Sequence, residues 1–135
     1  MAENIKLEVV TPERNVVETE AQIVMAPGSE GEFGVLSGHT SFLSTLKTGI
    51  LRYTDASGSD KSIFISGGFA EALPEKITVL AESAESLEDI DVERAKSAME
   101  RAEKRLENRE DLDVVRAKAA LLRAIVRLDA TGVVS

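Results

Sequence analysis

The chain has 135 residues, no cysteine and one histidine, and it carries 24 acidic against 16 basic side chains for a net charge of −8. That excludes disulfides, thiolate metal sites and multi-histidine metal centres, and it argues against general nucleic-acid binding, which needs a basic face. Without a cysteine, and with only His39, it offers no cluster resembling a catalytic triad.

Glycine and proline divide the chain. Eight of nine glycines and all three prolines lie at or before Pro74, and none falls between Glu75 and Thr131. Both residues mark turns and interrupt helices, so a turn-rich β half precedes an uninterrupted helical half. Charge follows the same division. Residues 1–87 hold six Lys/Arg and thirteen Asp/Glu, net −7; residues 88–135 hold ten and eleven, net −1. The expected domains are 1–87 and 88–135. The opening, Met-Ala-Glu-Asn-Ile-Lys, reads as neither a signal nor a transit peptide, so the protein is expected to stay where it is made. No apolar run approaches the ~18 residues of a membrane span.

In chain order, Ile5, Leu7 and Val9 alternate with Lys6 and Glu8, the period of a strand. Thr11-Pro12 ends that strand or puts it at an edge. Asn15–Glu20 and Gln22–Ala26 predict two further strands. Pro27-Gly28 is a turn, and Gly31, Gly34 and Gly38 suggest more. Ser41–Leu46, Gly49–Thr54, Ser62–Ser66, Phe69–Leu73 and Lys76–Ala81 complete the strands, with a hairpin loop at Asp55–Asp60. Short strands at this spacing predict an antiparallel sandwich or barrel.

From Ile90 the period becomes helical. Val92, Ala95, Met99, Ala102 and Leu106 trace one face, and Asp89 or Asp91 can cap its start. Asn108–Asp111 offers a break, with Asp111 a second cap. Val115, Ala119, Leu122 and Val126 then predict the buried stripe of a second helix, and the short connection implies an antiparallel hairpin. Its alanine-rich stripes bury little apolar area, a physical reason to expect that it opens.

Three features bear on function. The glycine segment from Pro27 to His39 is a poor phosphate cradle: Glu30 and Glu32 repel an anion, no Lys or Arg lies between Arg14 and Lys47, and no helix follows. Tight turns explain it better. His39 is an acid/base group or, as a lone histidine beside glycine, a support of its loop. The second helix carries Arg116, Lys118, Arg123 and Arg127 and no acid from Val114 to Leu128. Such a stripe is either a solvated face paired to the first helix or a seat for an anion or an acidic protein surface. Ile90-Asp-Val-Glu-Arg-Ala95, taken locally, is a helix start with an acidic first turn.

Together these segments resemble the epsilon subunit of the bacterial or chloroplast-type rotary ATP synthase. The likeness rests on Leu7-Glu-Val-Val-Thr-Pro-Glu-Arg14, Pro27-Gly-Ser-Glu-Gly-Glu-Phe-Gly-Val-Leu-Ser-Gly-His39, Leu46-Lys-Thr-Gly-Ile-Leu51, Ser66-Gly-Gly-Phe69 and Ile90-Asp-x-x-Arg-Ala95. Ser37 and Ser41 depart from it, standing where that family favours proline. The resemblance implies a flattened, antiparallel β-sandwich of about ten strands followed by an α-helical hairpin. It implies a non-catalytic rotor component joining the gamma subunit to the membrane c ring, with a tail that extends into the alpha/beta catalytic head and restrains ATP hydrolysis. No cofactor is required. ATP is a regulatory ligand in some relatives, and the residues carried over to it are Ile90, Asp91, Arg94, Ala95, Arg123 and Arg127, with Glu85 nearby in sequence. Glu32 and His39 are the candidates for the surface facing the c ring, and Arg116 for the head. The implied location is peripheral, on the cytoplasmic face of the bacterial inner membrane or the stromal face of a thylakoid. The rival reading is a free-standing nucleotide sensor with no rotary complex.

Overall fold

The computed structural model describes residues 3–108 and 114–132. They form two compact units, residues 1–86 and 87–135.

The first unit is built on alternation. In β1 (Ile5–Val10), Ile5, Leu7 and Val9 are fully buried while Lys6 and Glu8 face out. The Thr11 N–H donates to the Arg14 carbonyl at 2.9 Å, and the turn delivers β2 (Asn15–Gly28) antiparallel to β1. Then follow β3 (Gly31–Val35), β4 (Phe42–Leu46), β5 (Gly49–Asp55), β6 (Asp60–Leu73) and β7 (Lys76–Ser86).

There are seven strands rather than about ten, because segments that read as separate strands are continuous. The two predicted over 15–26 are one β2; the two over 62–73 are one β6. Each changes partner along its length. The first part of β2 pairs with β1, and its second part with β3 and β5. The first part of β6 pairs with β5, and its second part with β4. β7 follows β6 throughout, and its early residues also pair with β1. One layer is thus β4, late β6, early β7, β1 and early β2. The other is β3, late β2, β5, early β6 and late β7. Ten strand segments arise from seven strands because three of them serve both layers.

The changeover in β6 needs glycine. Gly68 has φ +115°, and a Cβ there would lie 1.9 Å from the Leu80 carbonyl oxygen. Two other expectations change. The sheet is not wholly antiparallel: β1 runs parallel to β7. No hairpin links these first and last strands, so no turn fixes their sense, and their pairing covers an edge of each. Gly31–Val35, read as turns, is a strand whose alternation is masked by its glycines. Between the layers, Leu7, Val9, Val24, Val35, Leu51, Ile63, Ile65, Ile77 and Val79 form the core.

The second unit begins with a 3-10 turn, Leu87–Asp89, and holds α1 (Val92–Asn108) and α2 (Val114–Ala130). The helices pack on each other, and with only residues 109–113 between them they run antiparallel. The predicted break over 108–111 and the cap at Asp111 lie largely outside the described residues. In α1 the predicted stripe holds, with Ala95 and Ala102 buried and Val92, Met99 and Leu106 half-buried. In α2 it does not. Ala117, Ala124 and Leu128 are buried, while Val115 is 79% and Leu122 49% exposed. At roughly 100° per residue, Val115 and Ala124 lie about 180° apart. The helix has two opposite apolar stripes, and the one with the smaller side chains is inward because alanine lets the helix axes approach.

α2 ends on Gly132 at φ +76°, with the Thr131 and Gly132 N–H groups donating to the Arg127 and Asp129 carbonyls. That is the left-handed closure glycine allows at a helix C-terminus.

Candidate functional site

The start of α1 is built by Asp91. Its Oδ1 accepts a hydrogen bond from the Arg94 N–H at 3.0 Å, and its carbonyl accepts the first helical bond, from the Ala95 N–H at 3.0 Å. Asp91, not Asp89, is therefore the cap. Ile90 and Ala95 are buried, whereas Asp91 and Arg94 are exposed. The motif thus has two inward apolar positions and two polar side chains at the surface.

An antiparallel hairpin brings the end of α2 beside the start of α1. Arg123 and Arg127, both half-buried, lie in that end of α2. Ile90, Asp91, Arg94, Ala95, Arg123 and Arg127 therefore share one end of the helical unit. Arg116 is exposed and lies nearer the opposite end. Glu85 belongs to the β unit, opposite Phe64 in the β6–β7 ladder. This end of the hairpin offers guanidinium groups and a carboxylate beside a small apolar surface, a combination that suits an anion carried on a planar group.

A second region surrounds the β3–β4 connection. Glu32 on β3 is ion-paired to Arg52 on β5, with Arg52 Nη2 at 2.5 Å from Glu32 Oε2. The two strands flank late β2, where Pro27 opposes Glu32 and Met25 opposes Arg52. His39 sits in the connection, with Nδ1 2.7 Å from the Thr40 carbonyl oxygen and its ring 5.0 Å from Phe42, edge-on. Phe42 in turn meets Phe33 edge-to-face at 5.2 Å. Gly38, at φ +83°, donates its N–H to the Pro74 carbonyl, so the loop is tied to the β6–β7 turn. His39 is half-buried, with its contacts to Thr40 and Phe42 made within its own loop.

Sequence reading missed Arg52 as the partner of Glu32. Its position in β5 gave no sign of a residue twenty places away. It also missed three exposed apolar side chains on one sheet face, Leu43, Phe69 and Leu80. Their signal was present: each adds a large apolar residue at the outward parity of a strand whose inward parity is already apolar.

Outside these regions, the clearest electrostatic feature is Glu8, with Lys6 and Lys76 Nζ each 3.3 Å from its carboxylate. The hydrogen bond from Lys76, reinforced by Lys6, holds the Glu8 carboxyl below its ordinary range. Among the described residues there is no group of acidic or histidine side chains that could hold a metal ion, and no helix long and apolar enough to cross a membrane.

Fold and sites define a two-unit protein: a double-layered β domain with exposed polar and apolar patches, and a small-residue helical hairpin with arginines toward one end. Comparison with known proteins gives the class a family. Residues 4–87 match the ATP synthase delta/epsilon chain β-sandwich domain, and residues 88–132 match the long α-helix domain of the same chain. The chain belongs to the ATP synthase delta/epsilon family. An ATP synthase epsilon chain of Desulforapulum autotrophicum is 67% identical over 106 residues, 78% of each chain. One from Desulfosudis oleivorans is 62% identical over 108 residues, covering 80% of this chain and 81% of the relative. Among solved structures, a chain of the Euglena gracilis mitochondrial ATP synthase assembly aligns with TM-score 0.68 at 25% identity, covering 96% of this chain and 78% of that one. A chain from the central stalk and c-ring of the Tetrahymena thermophila enzyme shares the fold, with TM-score 0.62 at 14% identity over 96% and 98% of the two chains. The relatives are epsilon chains, so the chain is a subunit of the membrane-bound ATP synthase.

Proposed function

We propose that the chain is a non-catalytic rotor subunit on the cytoplasmic face of a bacterial inner membrane. Its β unit joins gamma to the c ring, with Glu32 and His39 toward the ring. Its hairpin is a regulatory arm that leaves its folded state, reaches the alpha/beta head through the Arg116 region and restrains ATP hydrolysis. The observation that carries the regulatory part is the make-up of the helix contact. Among the described residues of α1 and α2, the buried positions apart from Leu128 are Ala95, Ala102, Ala117 and Ala124. An alanine methyl contributes about 0.8 kcal/mol on burial, against about 1.5–3 for a leucine side chain, so the hairpin is weakly held.

ATP is the regulatory ligand in this reading. The phosphates lie against Arg94, Arg123 and Arg127, whose mutual repulsion they relieve, while the base and ribose lie near Ile90 and Asp91. Asp91 Oδ1 is committed to the cap, so Oδ2 is the oxygen left for an adenine amino or ribose hydroxyl group. Glu85 lies on β7 in the β unit and is not part of this arrangement.

The test is reconstitution of synthase depleted of this subunit. The full chain is expected to restore ion-coupled synthesis and to lower hydrolysis, and a chain ending near Glu88 to restore coupling without lowering hydrolysis. Unrestored coupling by the full chain rejects the rotor role. Equal hydrolysis with both chains rejects the regulatory arm.

A further inference from the structure

Glu32 stands on a strand with support from one side. β3 ends the order of the sheet, bonds to β2 alone, and begins directly after the turn at Ser29 and Glu30. A glutamate there, left to itself, would sample several rotamers, and a partner would have to order it on docking.

The sheet supplies the order from two strands away. β2 lies between β3 and β5, with Pro27 opposite Glu32 and Met25 opposite both Gly34 and Arg52. Directly paired residues project from the same face. The opposite parity, Val24, Ala26, Val35 and Leu51, is buried core. Glu32, Gly34, Met25 and Arg52 therefore share the outward face, and the strands of Glu32 and Arg52 stand about 10 Å apart. Arg52 spans that gap diagonally across β2 to bring Nη2 to 2.5 Å from Glu32 Oε2. Gly34 clears the way: a Cβ there would lie 2.8 Å from Met25 Sδ, so Met25 leans over the glycine toward β3 rather than toward Arg52.

Stability does not account for this arrangement. The side chains of Arg52 and Glu32 remain 57% and 41% exposed, and an exposed ion pair adds little to the folded state. What the pair does provide is a preset surface. Among the described residues, Nη2 to Oε2 is the one side-chain hydrogen bond of either partner, so Oε1 and the other guanidinium N–H groups are left for a docking surface. Arg52 also cancels the charge of Glu32, which lowers the cost of taking that carboxylate out of water in a contact.

We propose that Arg52 is a positioning residue of the ring contact. It holds Glu32 across β2 and neutralises it, so that the c ring meets a fixed ion pair instead of a free carboxylate. This rests on the rotor reading above, which turns Glu32 toward the ring, and adds to it the residue that aims Glu32.

The test uses synthase depleted of this subunit, titrated with the full chain, and reads the concentration that half-restores ion-coupled ATP synthesis. Glu32→Gln and Arg52→Gln are each expected to raise that concentration about three- to tenfold, with thermal unfolding midpoints of the free chain unchanged, because both side chains are exposed. Arg52→Lys should raise it less, since it keeps the charge and loses the planar fork. In the Glu32→Gln background, Arg52→Gln should add nothing further. The exchanged pair Glu32→Arg/Arg52→Glu should keep the wild-type unfolding midpoint and still be impaired, because the carboxylate then stands on β5. If Glu32→Gln impairs restoration and Arg52→Gln does not, the role of Arg52 is overturned while the rotor reading stands. An Arg52→Gln effect that is equally large without Glu32, or full restoration by the exchanged pair, also overturns it. If Glu32→Gln restores synthesis as wild type does, Glu32 does not face the ring, and that part of the rotor reading falls together with the role of Arg52.

Discussion

Asp91 and Arg94 are joined by a hydrogen bond that fixes the start of α1: Asp91 Oδ1 accepts the Arg94 backbone N–H at 3.0 Å. One carboxylate is thus assigned both a structural and a ligand-binding task, and the two are separable. Asp91→Ser keeps a capping oxygen and removes the charge. Asp91→Ala removes both and should cost the hairpin about 1 kcal/mol. Helicity followed by circular dichroism in urea should rank wild type and Ser together above Ala. ATP titration by calorimetry should instead group Ser with Ala below wild type. If ATP affinity tracks helix stability across the three, Asp91 acts only as a cap.

The guanidinium groups permit a sharper test of the ligand. Arg94→Ala and Arg123→Ala should each lose about 1.5–3 kcal/mol of ATP binding, roughly ten- to a hundredfold. Binding should persist in the presence of a chelator. No heat from wild type at millimolar ATP would leave the arginines to serve the hairpin and its protein partner.

Gly68 carries the changeover of β6 between layers. Replacing it with alanine puts a methyl against the Leu80 carbonyl and forces an L-residue to φ +115°. Either effect alone costs about 1–3 kcal/mol, so Gly68→Ala should lower the stability of the β unit by at least ~2 kcal/mol. Gly58, also at positive φ but facing open space, should tolerate alanine better. Equal urea midpoints for the two variants would show that β6 can relax.

The strand and helix content was legible because its signals are local. Ile5, Leu7 and Val9 alternate; Val92, Ala95, Met99, Ala102 and Leu106 step by three and four. What was not legible is how long strands share partners. Gly67-Gly68 in β6 reads equally as a turn between strands and as a bend within one, and only the layer against Leu80 and Ala81 decides. The parallel pairing of β1 with β7 joins segments some seventy positions apart and leaves no periodic trace. In α2 both stripes were present in the sequence. Val115, Ala119, Leu122 and Val126 have the greater hydrophobicity and Ala117, Ala124 and Leu128 the better fit to close packing, so hydrophobicity alone chose the wrong face. Motif spacing placed Asp91 and Arg94 at the start of α1, where the cap lies. The Glu32–Arg52 pair and the Leu43–Phe69–Leu80 patch depend on strand order, which no local pattern contains.

Acid sensitivity of the β unit should come from two carboxylates. Lys76 and then Lys6 lower the Glu8 value, and the Ser57 hydroxyl and Ser59 N–H lower that of Asp55. A group whose folded value is depressed contributes stability above its unfolded value and loses it as pH falls through the folded one. Lys6, raised chiefly by its hydrogen bond to Glu8, has the opposite sign: its contribution is complete below its ordinary value of 10.5 and is lost as pH rises through the folded value. Stability should therefore be flat around neutrality and fall at both extremes. Urea midpoints of wild type and Asp55→Asn should differ at pH 7 and converge below the ordinary carboxylate range. A constant gap down to pH 2 would remove Asp55 from the account.

The two stripes of α2 make the last prediction. The inward stripe ends at Leu128, fully buried, so Leu128→Ala should cost the hairpin about 3 kcal/mol. The outward stripe centres on Val115 and Leu122, and at roughly 100° per residue Arg116, Arg123 and Arg127 fall along one of its borders. An apolar ridge edged with arginine is an amphipathic surface shaped for an apolar groove with acidic walls. In the regulatory reading that groove belongs to the catalytic head. Leu122→Ser is half-exposed and should change hairpin stability by less than ~0.5 kcal/mol. It should nevertheless relieve inhibition in the assembled complex, since losing about 1 kcal/mol of docking shifts the inhibited-to-active ratio roughly fivefold. Arg116→Ala/Arg123→Ala/Arg127→Ala should act in the same direction and reduce the salt dependence of hydrolysis. Leu128→Ala, by loosening the folded hairpin without touching the outward stripe, should strengthen inhibition. Hydrolysis assays on complexes with equal subunit occupancy separate these effects. If Leu122→Ser and Leu128→Ala shift activity in the same direction, the outward stripe is not the docking face.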